Sequence, residues 1–276
     1  MKLVDGMRGA IPADRMQEIH LQLPVSVQLR QILPHLADPL AVEIVAISKM
    51  RARVRLSYGW HMLNQARIAL VEAEACTIFY EEYRHNHIEA LYRCLYYLDD
   101  AALRLHSSSE HMLRSVVFHW TLDVPEKHPD DGTGDSPKES RESQSLLVRV
   151  LKKAQDSKDA QDVAKLLRGL RSSKAWKACM KHRHDWVHNR LPAINGIFPD
   201  ISFSTVDFEK ELPPVVRKSL GLKKGVRMSF GVGQDINLVR ENARNAYVEL
   251  FAVYEGLAKL LAKESESTAT SIKTPG

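Results

Sequence analysis

Arg183, His184 and His188 lie close together in a basic stretch, and they offer one permanent cation beside two side chains able to carry protons near neutral pH. Turned onto a helix at 100° per residue, 174–190 (KAWKACMKHRHDWVHNR) places Lys174, Lys177, Lys181, His184 and His188 within an arc of about 80°. That arc is a basic stripe ending in two histidines. The neighbouring face carries Trp176, Cys179, Met180, Trp186 and Val187, with Arg183 near its middle. A guanidinium in apolar surroundings costs several kcal/mol unless it is paired. Its partner is either an acid on a packed helix, with Asp99, Asp100 and Glu110 as candidates, or an incoming phosphate or carboxylate gripped by two hydrogen bonds. His184 and His188 also stand at i and i+4, the spacing at which a histidine pair shares a metal in the HExxH helix. Asp185 replaces the glutamate of that pattern, no histidine follows residue 188, and Lys181, Arg183 and Arg190 would repel a divalent cation. A third ligand for a His-x3-His metallohydrolase would have to come from Glu209, Glu211 or Glu241.

The charge of the chain is concentrated around these residues. The whole sequence carries 39 basic and 34 acidic residues, net +5, whereas Arg149 to Arg190 alone holds twelve Lys or Arg against four Asp, net +8. The remainder is slightly acidic. A local excess of this kind suits a surface for phosphates, although a solvated helix face with snorkelling lysines has the same composition.

The 276 residues suffice for one large domain or two small ones without disulfides or metals. With 44% apolar and 26% charged residues, and 13 Gly and 12 Pro, the composition is that of an ordinary globular protein. No uninterrupted apolar run exceeds five residues, as in Leu250 to Tyr254, so neither a membrane span nor a signal-peptide core is expected and the reading is cytoplasmic. Cys76, Cys94 and Cys179 are odd in number and lack CxxC spacing, which excludes a disulfide framework or thiolate zinc site and leaves them as small core residues.

Proline and glycine show which elements must position the site. From Pro39 to Pro125 the only interior breaker is Gly59, so this stretch must be largely helical. Gly59 predicts a division between helices at 40–58 and 60–83. His85-Asn86-His87 and Ser107-Ser108-Ser109 predict two more breaks, giving four helices in all. Ile88, Leu91, Tyr92, Leu95 and Leu98 recur at helical spacing as a packing stripe, and Ser108 or Ser109 would cap a helix carrying Met112, Val116 and Phe118. Residues 126–143 contain no large apolar side chain and read as a linker or loop. Helical periodicity resumes at Ser145 and leads, as one long helix or a helical pair, to Leu191-Pro192. The segment 193–234 is divided by glycines and prolines into loops, with a short hairpin suggested by the alternation at Ile201-Ser204 and a small helix near 210–219. A final helix is signalled from Asn237 to Lys263, with Leu238, Ala243, Tyr247, Leu250, Phe251, Tyr254, Leu257 and Leu261 on one side, and a polar, disordered tail from Glu264.

In this all-helical setting, Arg183-His184-Asp185-Trp186-Val187-His188 resembles the signature of the HEPN superfamily: an Arg, then Asn, Asp or His, then a His five to seven positions beyond the Arg. The bare Arg and His spacing also occurs at Arg15/His20, Arg30/His35, Arg55/His61, Arg104/His111 and Arg114/His119, but none of these has Asn, Asp or His after the arginine. The resemblance implies an all-α helical bundle of HEPN type spanning about 40–263, after an N-terminal segment 1–39, with 193–234 as an irregular insertion. It further implies a homodimer whose motif helices face each other across one cleft. That cleft would hold a metal-independent endoribonuclease leaving 2′,3′-cyclic phosphate and 5′-hydroxyl ends. The 2′-hydroxyl of RNA is its own nucleophile, so such a site needs a base, an acid and a cation for the phosphorane.

On this reading Arg183 binds the scissile phosphate, His188 is the main general base or acid and His184 assists. Lys174, Lys177, Lys181 and Arg190 hold flanking phosphates, and no cofactor or metal is required. The family also implies a defence or toxin effector, with an antitoxin or regulatory protein as a further partner. The alternative is a catalytically silent HEPN-like module that binds nucleotide, RNA or a protein. Among the weaker signals, Gly231-Val232-Gly233 reads as loop, Lys218, Lys223, Lys224 and Arg227 form a small basic cluster, and His85 and His87 sit at a turn.

Overall fold

In the computed structural model, residues 9–25, 47–124, 145–187, 206–207, 215, 227–228 and 235–272 are described, and they form an all-α bundle. Its helices are α1 (Ala13–Leu21), α2 (Ile47–Ile78), α3 (His87–His119), α4 (Leu146–Asp156), α5 (Gln161–Ser172), α6 (Lys174–Val187) and α7 (Ile236–Ile272). A π-helical turn, Phe79–Tyr83, closes α2. The linker at 126–143, the Ile201-Ser204 alternation and the second basic cluster apart from Arg227 fall outside the described residues. Of the 193–234 segment, β1 (Val206–Asp207) pairs antiparallel with β2 (Arg227–Met228). Val215, the one described residue of the small helix expected near 210–219, is helical and exposed.

Two long helices, α2 and α3, replace the four expected between Pro39 and Pro125, because two of the three predicted breakers, Gly59 and the serine run, serve a helix crossing. Gly59 lies inside α2, and a Cβ there would collide with the Tyr254 hydroxyl of α7 and meet the Ser108 carbonyl oxygen at 3.0 Å. Ser108 Oγ stands 2.8 Å from the Gly59 carbonyl oxygen and 3.0 Å from the Tyr254 hydroxyl, which in turn donates to the Ser108 carbonyl oxygen at 2.9 Å. The missing side chain at 59 lets the backbones of α2 and α3 and the Tyr254 hydroxyl of α7 meet, and the serine satisfies a carbonyl instead of ending a helix. Ser109 Oγ likewise donates back along the helix, to the His106 carbonyl oxygen at 2.7 Å. The break at His85-Asn86-His87 is present: His85 takes φ 51°, and Asn86 Oδ1 accepts from the Glu89 N–H at 3.1 Å to cap α3.

The face that α3 buries also differs from the expected stripe. Ala90, Cys94, Leu98, Ala101, Ala102 and Leu105 are buried, whereas Ile88 is 61% and Tyr92 51% exposed. Small residues carry the contact because the long α2/α3 hairpin packs closely along its length. Met112 and Val116 are buried farther along the same helix.

The chain from Ser145 to Val187 forms three helices, not one or two. Ser145 Oγ caps α4 through the Val148 N–H, and the backbone turns extended at Ser157 (ψ 127°) and Ser173 (ψ 130°). Ser173 Oγ then accepts from the Trp176 N–H at 2.9 Å, so this serine starts α6 immediately after α5 ends. α7 presents Ala243, Tyr247, Leu250, Phe251, Tyr254, Leu257 and Leu261 to the core as expected, but Val239 is buried in place of Leu238, which is exposed. The helix also continues beyond Lys263 to Ile272, since neither Gly nor Pro interrupts 264–272.

The amino-terminal segment is tied to this bundle. Ile11, Ile19 and Leu23 are buried, Arg67 of α2 donates to the carbonyl oxygens of Leu23 (3.2 Å) and His20 (3.0 Å), and the Tyr247 hydroxyl donates to that of Pro24 at 2.8 Å. All three cysteines are free and buried. Among the described residues no helix is long and apolar enough to cross a membrane.

Candidate functional site

Ser173 fixes the start of α6, and from that cap the helix runs across both α3 and α7. Trp176 and Cys179 are buried against the core, and Met180 and Trp186 are partly buried, whereas Val187 is 40% exposed rather than part of the packed face. Lys174, Lys177, Lys181 and His184 are all exposed, so the basic stripe lies on the solvent side of α6. Lys181 Nζ pairs with Asp185 at 3.3 Å one turn on. His188 and Arg190 lie outside the described residues.

The residue that anchors α6 is one that sequence reasoning did not single out. His182 is buried, and its Nε2 lies 2.8 Å from Asp99 Oδ1 of α3. With Asp99 accepting, Nε2 carries the proton, and His182 Nδ1 is buried with no hydrogen-bond partner among the described residues. This buried polar contact sets the register of α6 against α3. In sequence His182 is hidden by its neighbours: it sits between Lys181 and Arg183, and a histidine on an otherwise apolar face is the only trace it leaves.

Arg183 therefore finds none of its candidate acids. Asp99 belongs to His182, Asp100 pairs with Arg104 of its own helix at 2.8 Å, and the exposed Glu110 makes no ion pair with the guanidinium. Arg183 Nε is buried and without a hydrogen-bond partner among the described residues. A buried N–H left open in this way is costly, and an anion would satisfy it.

On α3, His106 interacts with this guanidinium, and His111 stands in a polar group with Arg55 of α2. His106 is partly buried and close enough to Arg183 for the two to interact: burial first, then the arginine charge, pushes the imidazole below its usual range, while Glu110 opposes them. Five residues farther on, and on another side of α3, His111 is also pushed down, by burial and then by Arg55 and Arg114, again against Glu110. Its Nδ1 faces Arg55 Nη1 at 3.4 Å, and the exposed Tyr58 ring lies 6.0 Å away, centroid to centroid. Both histidines thus favour the neutral imidazole at pH 7. The sequence signal that could have found them is the run His106, Glu110, His111, Arg114, which clusters acid, base and cation on adjoining faces of one helix.

Among the described residues no three or more His, Cys, Asp or Glu side chains are grouped to hold a metal ion. Glu241 is described and exposed, whereas Glu209 and Glu211 lie outside the described residues. As arranged, the α3/α6 surface combines a guanidinium unpaired among the described residues with a half-buried neutral histidine, a cation and a base that suit a phosphate and a neighbouring hydroxyl, while the lysines stand on the solvent face of α6.

No family model matches this chain, and no curated protein or solved structure does so either.

Proposed function

We propose that this protein is a metal-independent endoribonuclease of HEPN-like type, which cleaves RNA to 2′,3′-cyclic phosphate and 5′-hydroxyl ends at a site shared by two copies of the chain. The observation that carries this reading is Arg183: a partly buried guanidinium whose three candidate acids are engaged elsewhere or unpaired with it, on a helix whose solvent face carries an exposed lysine stripe. A phosphodiester supplies two acceptor oxygens to such a fork, and the lysines attract the charges on either side. Arg183 holds the scissile phosphate, His188 moves a proton, His184 assists, and Lys174, Lys177, Lys181 and Arg190 bind neighbouring phosphates. A defence or toxin effector, restrained by an antitoxin or other regulatory protein in the cytoplasm, is the biological setting that the HEPN resemblance suggests.

The test is cleavage of labelled single-stranded RNA by wild-type and His188→Ala protein in EDTA, with end-group analysis and the oligomeric state measured in parallel. Cleavage by the wild type alone, leaving cyclic phosphate ends, supports the reading. A dimer that binds RNA or nucleotide without cutting it replaces the enzyme by a silent binding module, and loss of activity with the chelator replaces it by a metallohydrolase.

A further inference from the structure

Among the described histidines, His106 is set apart by its surroundings. His182 is bonded to Asp99, His111 faces Arg55, His61 Nε2 lies 2.8 Å from Gln65 Nε2, and the His119 ring packs edge-on against Trp120. The ring nitrogens of His106 make no hydrogen bond to any described residue, although the residue is half-buried. It also lies on the face of α3 that α6 covers. Asp99 and His106 are seven residues apart, so they share that face about 10 Å from one another along the helix axis. Asp99 fixes His182, and the next residue of α6 is Arg183, whose charge reaches His106. The Asp99–His182 contact thus presents Arg183 and His106 to one patch of surface between two helices.

We propose that His106 is a further catalytic residue of this site, taking the proton from the ribose 2′-hydroxyl of the RNA whose scissile phosphate Arg183 holds. The inference rests on the ribonuclease reading and adds a base on α3 to the motif on α6. As the O2′–H bond breaks, its proton passes to the free imidazole nitrogen, and the O2′–P bond forms. Arg183 stabilises the charge that gathers on the equatorial phosphorane oxygens. The P–O5′ bond then breaks, and the 5′-oxygen takes a proton from the acid, the role left to His188. The products are a 2′,3′-cyclic phosphate and a 5′-hydroxyl, and proton exchange with water restores both histidines. Glu110, one turn away and exposed, is the opposing charge on the imidazolium formed in the first step.

The experiment measures single-turnover cleavage of single-stranded RNA against pH for the wild type, His106→Gln and Arg183→Gln, with RNA affinity determined separately. His106→Gln is expected to lower the cleavage rate by about 100-fold or more and to abolish the limb that rises with pH, with RNA still bound. Cleavage by His106→Gln at the wild-type rate and with the wild-type pH profile overturns this inference while leaving the ribonuclease reading intact. Absence of cleavage by the wild type overturns the ribonuclease reading itself, and the role of His106 with it. A second measurement needs no activity: the His106 imidazole, followed by NMR through a pH titration, is expected to titrate higher in Arg183→Gln than in the wild type. An unchanged titration removes the pairing of the two residues and overturns the inference.

Discussion

Asp99 and His182 meet at 2.8 Å between α3 and α6, their side chains only 11% and 5% exposed, and this contact leaves Arg183, the next residue along, within electrostatic reach of His106 and without an ion pair among the described residues. Two adjacent side chains on α6 thus differ: His182 binds the bundle, whereas Arg183 keeps a buried Nε without a hydrogen-bond partner among the described residues.

The buried pair gives a stability prediction with a built-in control. Asp99→Ala or His182→Ala leaves one buried polar partner unsatisfied and is expected to cost about 3 kcal/mol. Replacing both by leucine removes the desolvated groups together and is expected to restore most of that loss. Urea unfolding of the two single variants and the double variant measures both effects.

Gly59 is expected to tolerate no side chain. Gly59→Ala improves helix propensity by about 1 kcal/mol, yet its methyl group meets the Tyr254 hydroxyl, and overpacking of this kind costs about 1–3 kcal/mol. A net loss of stability is expected, and Tyr254→Phe in the same chain should relieve part of it. Thermal melts arranged as a double-mutant cycle read the coupling directly.

The cysteines should be chemically silent in the folded protein. Burial pushes Cys76 and Cys179 up to about 12 and Cys94 to about 11, so almost no thiolate is present at pH 8. A chromogenic disulfide reagent is expected to leave native protein unmodified and to titrate all three thiols after unfolding.

Stability should fall as the solution is acidified below the ordinary histidine range. His106 and His111 are both lowered in the folded chain, chiefly by burial, so between their folded values and about 6.5 the unfolded state binds more protons. Stability therefore rises with pH through that window, is complete above it, and is lost as pH drops through the folded values. The urea midpoint measured across this range should become less steep in pH for His106→Gln.

RNA binding by the exposed stripe should depend on salt in proportion to the uncompensated lysines. Lys174 and Lys177 form no ion pair among the described residues, whereas Lys181 is held by Asp185 at 3.3 Å. Lys177→Ala is expected to reduce the slope of log K against log salt by about 0.7, and Lys181→Ala by less. Fluorescence anisotropy with single-stranded RNA at several salt concentrations checks the order.

How far the site was legible depended on what each residue responds to. The exposure of Lys174, Lys177, Lys181 and His184 followed from spacing, since residues at three and four positions share a helix face whatever packs on the other side. The break at His85-Asn86-His87 and the burial of the cysteines were local or compositional matters of the same kind. Gly59 and Ser107-Ser108-Ser109 read as breaks because their intrinsic preferences oppose helix. The close approach of α2, α3 and α7 reverses that preference by using the absent Cβ and the serine hydroxyl.

The sequence by itself determined that the chain would be helical, that its positive charge would gather between Arg149 and Arg190, and that one face of 174–187 would be basic; these follow from short-range periodicity and composition. Only the tertiary structure decided that Arg183 would meet none of its candidate acids among the described residues. His182 takes Asp99, Arg104 takes Asp100, and His106 comes from a turn of α3 far away in sequence, because pairing across two helices depends on their register, which no local pattern specifies.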